Sequence, residues 1–483
     1  MNYKEIGLRV GLEIHHSLDT DEKLFCSCPT LLKTKETPDF VLERRQIPVV
    51  GETGEIDVAA IEEMKKRRKI IYEVYEDCDC LVDTDEEPPH EINQEALEIA
   101  LTIAELLNCK VVDEIQIMRK TIVDGSLPSG FQRTMLIGTD GWIETDKGKV
   151  EIEAISLEED SGRLINRTKN SATFRLDRLG IPEVEVGTGR GIISPEHAKE
   201  VAKKIGNIIR STGKAKIRQG SVRQDVNVSI KDGDRVEAKL VPSLSLIPVV
   251  IEKEIKRQQK LIGEGKKVSR DVRRVSPDGS TEFLRPLPGA SRMYPETDVI
   301  PIRTKELLDN VRENLPETFS EKIKKYQKIG LSKNLAKQLV NSDYVEWFDK
   351  LVNEIDVNPT LIANIFANTL SYLESEGLDA SELTSEDFRE LFDLISSGEV
   401  MKESIDDVLR LKLKDNKLSI KECVDKLGIE TISEDELRKI VREVISANPN
   451  APKGKIIGFV MAKVRGKADP KDVIRIVNEE LDS

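Results

Sequence analysis

The sequence predicts an α+β fold in which an antiparallel-sheet domain is followed by wholly helical domains. Before residue 300, apolar and polar residues alternate with period two in several short segments, as in strands with one buried face and one wet face. After residue 300, apolar residues recur at helical spacing. At about 150 residues per domain, the 483 residues correspond to about three domains. The predicted domains are 1–300, 301–428 and 429–483.

The first predicted strand shows the alternation most clearly. Val10, Leu12 and Ile14 lie on one face, whereas Glu13 and His15 lie on the other. Four further segments alternate in the same way, so polar side chains from five strands are expected on one face of the sheet. The five predicted strands are Arg9–His15, Val150–Ala154, Glu183–Val186, Val222–Ile230 and Arg235–Leu240.

Two amphipathic helices are expected to cover the buried face of this sheet. Asn93 is placed to cap the first helix, and Ser194 followed by Pro195 opens the second, which ends at Gly213. Helices follow one another from Thr304 onward. The predicted ones near the C-terminus are a helix from Thr384 to Gly398, a helix Glu434–Ser446 opened by Ser433, and two short helices, Gly454–Gly466 and Pro470–Leu481.

The composition excludes several classes of protein. Charged residues make up 34% and the net charge is −14, which excludes a uniformly basic nucleic-acid coat but allows a local basic patch. The longest apolar run, Leu240–Ile251, is interrupted and falls short of the about 20 residues of a membrane span. The start of the chain carries no apolar export signal, and six cysteines in this length are not a disulfide framework. We therefore expect a cytoplasmic protein.

Carboxylates and one histidine dominate the polar face of the predicted sheet. Hard oxygen ligands of this kind hold Mg²⁺ and leave positions for phosphate oxygens. The Glu13-x-His15 pair and the acidic run 158–160 favour such a site, because like charges this close repel unless a cation neutralises them. A solvated sheet face is the alternative. The candidate residues are Glu13, His15, Glu158, Glu159, Glu185, Asp225 and Glu237.

Candidate phosphate contacts lie at a strand end that enters a loop rich in Gly and Pro. Arg119 and Lys120 precede the loop 124–133, and Arg223 and Lys239 lie among the carboxylates of the other strands. Such cations can hold phosphates beside a metal. The spacing of a P-loop is missing, as is that of a dinucleotide fingerprint. A plain surface turn is therefore the alternative for the loop.

Four cysteines occur in two tight pairs, Cys26 with Cys28 and Cys78 with Cys80. Four thiolates make a structural Zn²⁺ site, although the one-residue spacer is tighter than usual. Four unpaired cysteines are the alternative.

The C-terminal tail carries an excess of positive charge, since seven Lys or Arg residues but only two Asp lie between Ser446 and Arg475. This excess of positive charge indicates an RNA- or DNA-binding surface, with a solvated helix face as the alternative.

These motifs resemble the B/E subunits of the tRNA-dependent amidotransferases, the GatB/GatE family. Two further motifs resemble the archaeal GatE type in particular, and the end of the chain is similar to the tail domain that both types share. The shared motifs are Gly11–His15, Lys23–Cys28, Met118–Lys120, Leu157–Gly162, Asp177–Pro182 and Arg223–Asn227, the archaeal ones Glu87–His90 and Arg285–Asp298, and the tail motif Gly454–Pro470.

The resemblance implies a first domain of the glutamine synthetase/guanidino-kinase type, a helical middle domain and a YqeY-like tail that binds tRNA. It implies a ligase that phosphorylates the side-chain carboxyl of Glu-tRNA(Gln) with ATP and Mg²⁺. The acyl phosphate is then amidated to give Gln-tRNA(Gln). The ammonia is expected from a partner, an asparaginase-like amidase of the GatD type, because this chain shows no amidase nucleophile constellation. Neither a membrane nor DNA is an expected partner.

The resemblance also assigns residues. Glu13, His15, one of Glu158 and Glu159, and Glu185 fall on positions that hold Mg²⁺ in the family, and Asp225 is a further candidate. A carboxylate is a poor electrophile, and phosphoryl transfer to it depends on a metal and positioned cations more than on covalent help from the protein. The residues expected to contact phosphate are Arg119, Lys120 and Arg223, and those of the zinc site are Cys26, Cys28, Cys78 and Cys80.

Three features depart from the family pattern. The archaeal GatE type carries an inserted domain resembling one of aspartyl-tRNA synthetase, for which the segment 257–278 leaves no room. Glu185 is followed by the run 186–190, where the family has an acidic residue beside a proline. The second cysteine pair lies far from the first. Two other functions stay open: a carboxylate–amine ligase for a free small substrate, and a non-catalytic tRNA-binding subunit.

Overall fold

The computed structural model divides into two compact units, Met1–Thr318 and Phe319–Ser483. Every described strand lies in the first unit, and the second unit is helical throughout its described part. The α+β class is therefore confirmed. The structure describes residues 2–34, 37–47, 54, 56, 61, 64–216, 220–287, 293–342, 344–429, 433–449, 451–464, 468 and 470–481.

The first unit is built on a sheet of eleven described strands, and the five predicted strands all belong to it, which confirms them. Its strands are β1 (Arg9–Ser17), β4 (Lys110–Val111), β6 (Ile117–Thr121), β7 (Phe131–Thr145), β8 (Gly148–Glu159), β11 (Pro182–Thr188), β12 (Val222–Ser229), β13 (Val236–Lys239), β14 (Asp271–Val275), β15 (Thr281–Pro286) and β16 (Met293–Pro295). They pair in the order β15-β14-β13-β12-β1-β11-β8-β7-β6-β16, with β4 beside β7.

The sheet is mixed, so the expectation of a purely antiparallel sheet was wrong at one pairing. β13 and β14 run parallel, whereas the other described pairs of this sheet are antiparallel. A parallel pair needs a crossover connection, which is usually a helix. Here the helix Leu246–Gly263 supplies that crossover, and the interrupted apolar run Leu240–Ile251 was its sequence signal.

Three helices cover the apolar face of the sheet: α1 (Gln94–Leu106), α2 (Pro195–Arg210) and α3 (Leu246–Gly263). Both predicted caps are confirmed, since the Asn93 side chain accepts from the Ala96 N–H and Ser194 from the His197 N–H. One continuous core joins these helices to the inward side chains of the strands. The unit ends with α4 (Lys305–Glu313). The opposite, polar face of the central strands is thereby left to line a groove.

Two smaller sheets complete the first unit. β2 (Phe40–Arg44), β3 (Lys69–Val74), β10 (Ser171–Arg175) and β9 (Arg163–Arg167) pair in that order, and β17 (Ile302–Arg303) pairs with β5 (Glu114–Ile115). The four-stranded sheet has its own small core, which includes Tyr72 and Phe174. Ile122, which packs against that core, also lines the groove, as does the nearby Asp124.

The second unit gathers its apolar side chains in two clusters, one between Tyr326 and Val424 and one between Leu437 and Val477. Thr384 and Ser433 cap helices as predicted, and the end of Lys453–Lys463 comes before the predicted Gly466. In the described residues, no helix is both long and apolar enough to cross a lipid bilayer. The helices are α5 (Phe319–Lys328), α6 (Lys333–Val340), α7 (Val345–Glu354), α8 (Pro359–Asn364), α9 (Leu370–Ser375), α10 (Ser385–Ser396), α11 (Ile405–Lys414), α12 (Ile420–Lys426), α13 (Glu434–Ala447), α14 (Lys453–Lys463) and α15 (Pro470–Leu481).

Candidate active site

Strand register brings the predicted carboxylates together around β1. His15 lies opposite Glu185 on β11 and opposite Arg223 on β12, and Glu13 lies opposite Asp225. Residues that face each other across neighbouring strands point to the same side of a sheet. The alternation that predicted five separate strands therefore becomes a single polar face.

Two overlapping acidic groups share His15. One ligand atom each from Glu13, His15 and Asp225 lie within 4.8 Å of one another, and the same holds for His15, Glu158 and Glu185. The Nδ1 atom of His15 is buried, is 3.9 Å from Glu185 Oε2, and has no hydrogen-bond partner within the described residues. A buried nitrogen without a partner among carboxylate oxygens is a donor set that fits a divalent cation.

The electrostatics of the centre also favour a bound cation. Burial raises the pKa of Glu13, and the nearby charge of Glu237 raises it further. Burial opposes the charged form of His15, but Glu185 and Glu183 outweigh it and raise the pKa of the imidazole. Carboxylates packed this closely hold a proton unless another positive charge takes its place.

Three cations of the groove are paired with its carboxylates. Lys120 Nζ is 2.6 Å from Glu158 Oε1, and Lys239 Nζ is 2.7 Å from Asp225 Oδ2. Burial alone would raise the pKa of Glu158, but Lys120 and His15 hold it at about 2. Glu158 also accepts hydrogen bonds from Gln132 and Thr134, which fix its orientation. The third cation, Arg223, donates to Asp160 and Glu183.

Two of the sequence-predicted residues lie on the opposite face. Arg133 Nη1 is 3.2 Å from Glu159 Oε1, and Arg119 pairs with Glu296. Side chains alternate between the faces of a strand, so Glu159 and Arg119 point away from their neighbours Glu158 and Lys120. The structure thus brings Glu158 and Lys120 into the groove and leaves Glu159 and Arg119 outside it. Sequence reasoning gave no role to Arg133 or Glu296.

The groove has a volume of about 530 Å³ and contains further arginines that sequence reasoning did not assign. Within the described residues, their guanidinium groups make no ion pair or hydrogen bond. Arg235 shares the alternation of Glu237 and Lys239, so the signal that marked those two residues marked it as well. The loop 124–133 contributes Asp124 to the groove, and the same side chain accepts from Ser126 in a tight turn. The arginines are Arg167, Arg235, Arg274 and Arg285.

A cysteine cluster forms, but its members differ from the predicted set. Ligand atoms of Cys26, Cys28, Cys80 and Asp83 lie within 4.8 Å of one another, whereas Cys78 is not among them. Cys80 lies two residues after Cys78 in a turn, and the Asp83 carboxylate accepts from the Cys80 N–H at 3.0 Å. Hydrogen bonds from the Cys26 and Cys28 thiols lower the pKa of Cys80, which favours a thiolate there. The turn therefore offers an aspartate where the sequence suggested a fourth cysteine.

The tail retains only part of its predicted free positive charge. Arg475 pairs with Glu434 at 3.0 Å and also with Glu479 and Asp472. Arg465 and Lys467 lie outside the described residues. One of these ion pairs joins the start of α13 to α15, and the other two lie within α15.

Comparisons with known proteins identify the family. Residues 8–309 match the GatB/GatE catalytic domain, and residues 346–481 match the GatB domain. The chain belongs to the GatB/GatE family. Its relatives include proteins named as the E-type chain of glutamyl-tRNA(Gln) amidotransferase from Methanocaldococcus jannaschii, 36% identical, Methanosarcina acetivorans, 32% identical, and Saccharolobus solfataricus, 33% identical. Each alignment covers 100% of this chain and 99% of the relative.

The lengths agree with the absence of the inserted domain from this GatB/GatE protein. The alignment to the Methanocaldococcus relative runs over 626 positions, whereas this chain has 483 residues. At least 143 positions, the difference between 626 and 483, therefore hold residues of the relative without a counterpart here. The groove, in contrast, is formed wholly within the part that matches the catalytic domain.

Proposed function

We propose that this chain is the kinase and transamidase component of a glutamyl-tRNA(Gln) amidotransferase. It phosphorylates the side-chain carboxyl of glutamate on tRNA(Gln) with ATP and then converts the acyl phosphate into the amide. The names of its full-length relatives support the substrate. The observation that carries the proposal is the pair of acidic groups that share His15 inside one groove.

We assign Mg²⁺ to Glu13, His15, Glu158 and Glu185, with Asp225 as a further ligand. When bound by these residues, Mg²⁺ would supply the positive charge that transferring phosphoryl oxygens need. The first domain would then be of the glutamine synthetase/guanidino-kinase type, with the polar sheet face as its catalytic surface. Lys120 and Lys239 keep Glu158 and Asp225 ionised at neutral pH because they lower the pKa of these carboxyls, which stay available as ligands.

The reaction balances in two steps. The terminal phosphoryl group of ATP moves to a carboxylate oxygen of the glutamyl side chain, and ADP leaves. Ammonia then attacks the acyl carbon, the C–O bond to phosphate breaks, and inorganic phosphate and a proton leave. We assign the ammonia to an asparaginase-like, GatD-type amidase partner. Arg223, which is held by Asp160 and Glu183, is positioned to contact phosphate in both steps.

The test measures phosphate release from ATP by the full chain with its amidase partner. We expect release to require glutamyl-tRNA(Gln) and to be lost in Glu13→Ala. Glu153→Ala, which removes an exposed carboxylate on β8 outside the groove, is the matched control and should keep full activity. Full activity of Glu13→Ala would remove the metal assignment. Turnover of free glutamate without tRNA would instead favour a small-molecule ligase. If the chain did not bind MgATP, a non-catalytic subunit would be favoured.

We further propose a structural Zn²⁺ held by Cys26, Cys28, Cys80 and Asp83. Three thiolates and one carboxylate are suitable zinc ligands, and the turn at Asp83 brings the fourth donor. Metal analysis of the purified chain should find about one zinc per chain. Cys80→Ser should lose it and Cys78→Ser should keep it; retention of zinc in Cys80→Ser would contradict this ligand set.

We propose residues 301–428, whose regular elements after β17 are all helices, as a middle domain, and 429–483 as a YqeY-like tail that binds tRNA. The separate apolar cluster between Leu437 and Val477 supports a tail with its own core. Removal of residues 429–483 should raise the KM for glutamyl-tRNA while the affinity for MgATP stays unchanged. An unchanged KM for the tRNA would contradict the assignment of the tail.

A further inference from the structure

One end of the four-stranded sheet carries a concentration of positive charge that the chemistry of the groove does not require. The protein has a net charge of −14, yet residues 65–69 are five consecutive Lys or Arg residues at the start of β3. At the same end of the sheet, Arg45 follows β2, and Arg167 and Lys169 lie where β9 turns into β10. Charge of one sign that is clustered on an otherwise acidic protein indicates a surface that binds a polyanion.

Strand register places these cations side by side. Lys69 and Arg167 flank the first two residues of β10, one on each side. Arg45 follows the last residue of β2, which pairs with the second residue of β3. Neighbouring strands are about 4.8 Å apart, so the cations cross the end of the four strands over about 14 Å. We call this row the basic strip and define it as Arg45, Arg67, Lys69, Arg167 and Lys169.

Three members of the basic strip are available to a ligand. Arg45, Arg67 and Lys169 are exposed, and their side chains make no ion pair or hydrogen bond to another residue of the described part. Lys69 differs, since it pairs with Glu43. Surface cations without a carboxylate partner can form charge-assisted hydrogen bonds with the oxygens of an anion such as phosphate.

The backbone holds this end of the sheet in a fixed shape. Thr168 Oγ1 accepts from the Ser171 N–H at 3.0 Å, which closes the turn between β9 and β10 around Lys169. The Lys69 N–H donates to the carbonyl oxygen of Asn170 at 2.9 Å and so joins the start of β3 to the same turn. A surface that is ordered before binding loses less conformational entropy when the ligand arrives.

On the basis of the proposed function, we infer that the basic strip binds the sugar–phosphate backbone of the glutamyl-tRNA, in the arm that leads to its reacting 3′ end. Arg167 belongs both to the strip and to the lining of the groove, so the strip is continuous with the groove. RNA carries one negative charge per nucleotide, and a row of cations can neutralise several successive phosphates. Such contacts position the RNA without reading its bases. The strip therefore supplies affinity and direction, and the choice of tRNA depends on other contacts.

The experiment uses the full chain with Arg45→Gln, Arg67→Gln and Lys169→Gln combined. Arg167 stays unaltered, because it lines the groove. Filter binding at several salt concentrations gives the Kd of glutamyl-tRNA(Gln), and calorimetry gives the Kd of MgATP. We expect the Kd of the RNA to rise about tenfold or more, and the slope of log Kd against log salt to fall by about 2, because three phosphate contacts are lost. The Kd of MgATP should stay unchanged.

The matched control removes three exposed lysines from helices α2 and α3, which cover the opposite, apolar face of the large sheet. Its substitutions are Lys203→Gln, Lys256→Gln and Lys260→Gln. If the Kd of the RNA in the strip variant stays within about twofold of this control, the inference is overturned.

An acidic protein surface is the other occupant that such a strip could bind. If the strip variant bound the RNA normally but no longer co-purified with its amidase partner, the strip would be a protein-docking surface and the inference would be wrong. Failure of the proposed function has a different signature. The unaltered chain would then release no phosphate from ATP in the presence of glutamyl-tRNA, whereas the effect of the strip on the Kd of the RNA does not depend on catalysis.

Discussion

Charged residues on the two sides of the large sheet are of the same kinds but in different states. On the face away from the groove, Arg133 pairs with Glu159 and Glu296, and Arg119 pairs with Glu296 and Asp298. In the groove, His15 Nδ1 has no hydrogen-bond partner among the described residues, and the guanidinium groups of four lining arginines make no ion pair or hydrogen bond there. The paired face is therefore structural, and these groups of the groove are left for ligands.

The type of a residue does not by itself decide its role in this protein. Glu158 and Glu159 are adjacent in the sequence and both buried, yet only Glu158 belongs to the acidic centre. Buried charges that satisfy one another contribute to the folded state, because removal of one partner leaves the other uncompensated. Buried like charges that repel one another lower stability, and a site of that kind is retained where a ligand needs it.

The largest expected effect is on the groove face. Glu13→Gln should lower turnover about 10²–10³-fold, because a neutral amide is a poor ligand for a divalent cation. The metal-free variant should be as stable as the unaltered chain or more stable, since burial and neighbouring carboxylates disfavour the charged form of Glu13 and raise its pKa. Steady-state assays measure the loss of turnover, and thermal melts in the presence of a chelator measure the stability of the metal-free protein. A clear loss of stability would place Glu13 with the structural charges.

On the opposite face, the replacement of a carboxylate should lower the stability of the first unit. Glu296→Gln should destabilise the first unit by about 3 kcal/mol, because Arg119 and Arg133 lose a fully buried carboxylate. Urea unfolding followed by circular dichroism measures this, with Glu153→Gln as a control on an exposed carboxylate. An unchanged midpoint would show that this network does not contribute to stability.

The pH dependence of stability should further distinguish the paired face from the groove face. Burial alone would raise the pKa of Glu296, but Arg119, the Asp298 N–H and Arg133 hold it at about 2, below its ordinary 4.5. A carboxyl with a depressed pKa stabilises the fold fully above its unfolded pKa and loses that contribution as the pH falls through the folded value. The difference in unfolding midpoint between the unaltered chain and Glu296→Gln should therefore be full at about pH 6 and shrink between about pH 4.5 and pH 2. A difference that does not change with pH would contradict the ion pair.

The smallest effect is expected from a substitution at Gly162, which packs against the loop 124–133 beside the groove. A Cβ on Gly162 would lie 2.9 Å from the carbonyl oxygen of Ser126, which also accepts from the Gly162 N–H. Gly162→Ala should therefore push the loop outward and destabilise the unit by about 1–2 kcal/mol. Ser126 lines the groove, so the KM for ATP or tRNA should rise as well. Thermal melts and kinetics measure the two effects; Gly206→Ala, where no atom lies within 4 Å, is the control.

Local patterns in the sequence determined the elements and the composition of the site. Period-two alternation predicted the strands of Glu13, Glu185 and Asp225, because alternate side chains of a strand meet different environments. Asn93 and Ser194 marked helix starts, because their side chains satisfy backbone N–H groups that lie within the next three residues. These signals depend only on near neighbours in the chain.

Tertiary structure decided the questions that depend on distant contacts. The register of β8 with β7 decides that Glu158, and not Glu159, enters the groove. Asp83 joins the cysteines because a turn folds it back towards Cys80. The parallel strand β14, which sets Arg274 beside Lys239, arises only once α3 has crossed the sheet. The sequence by itself determined which side chains were available, whereas long-range pairing decided which of them meet, because register and crossover are properties of segments far apart in the chain.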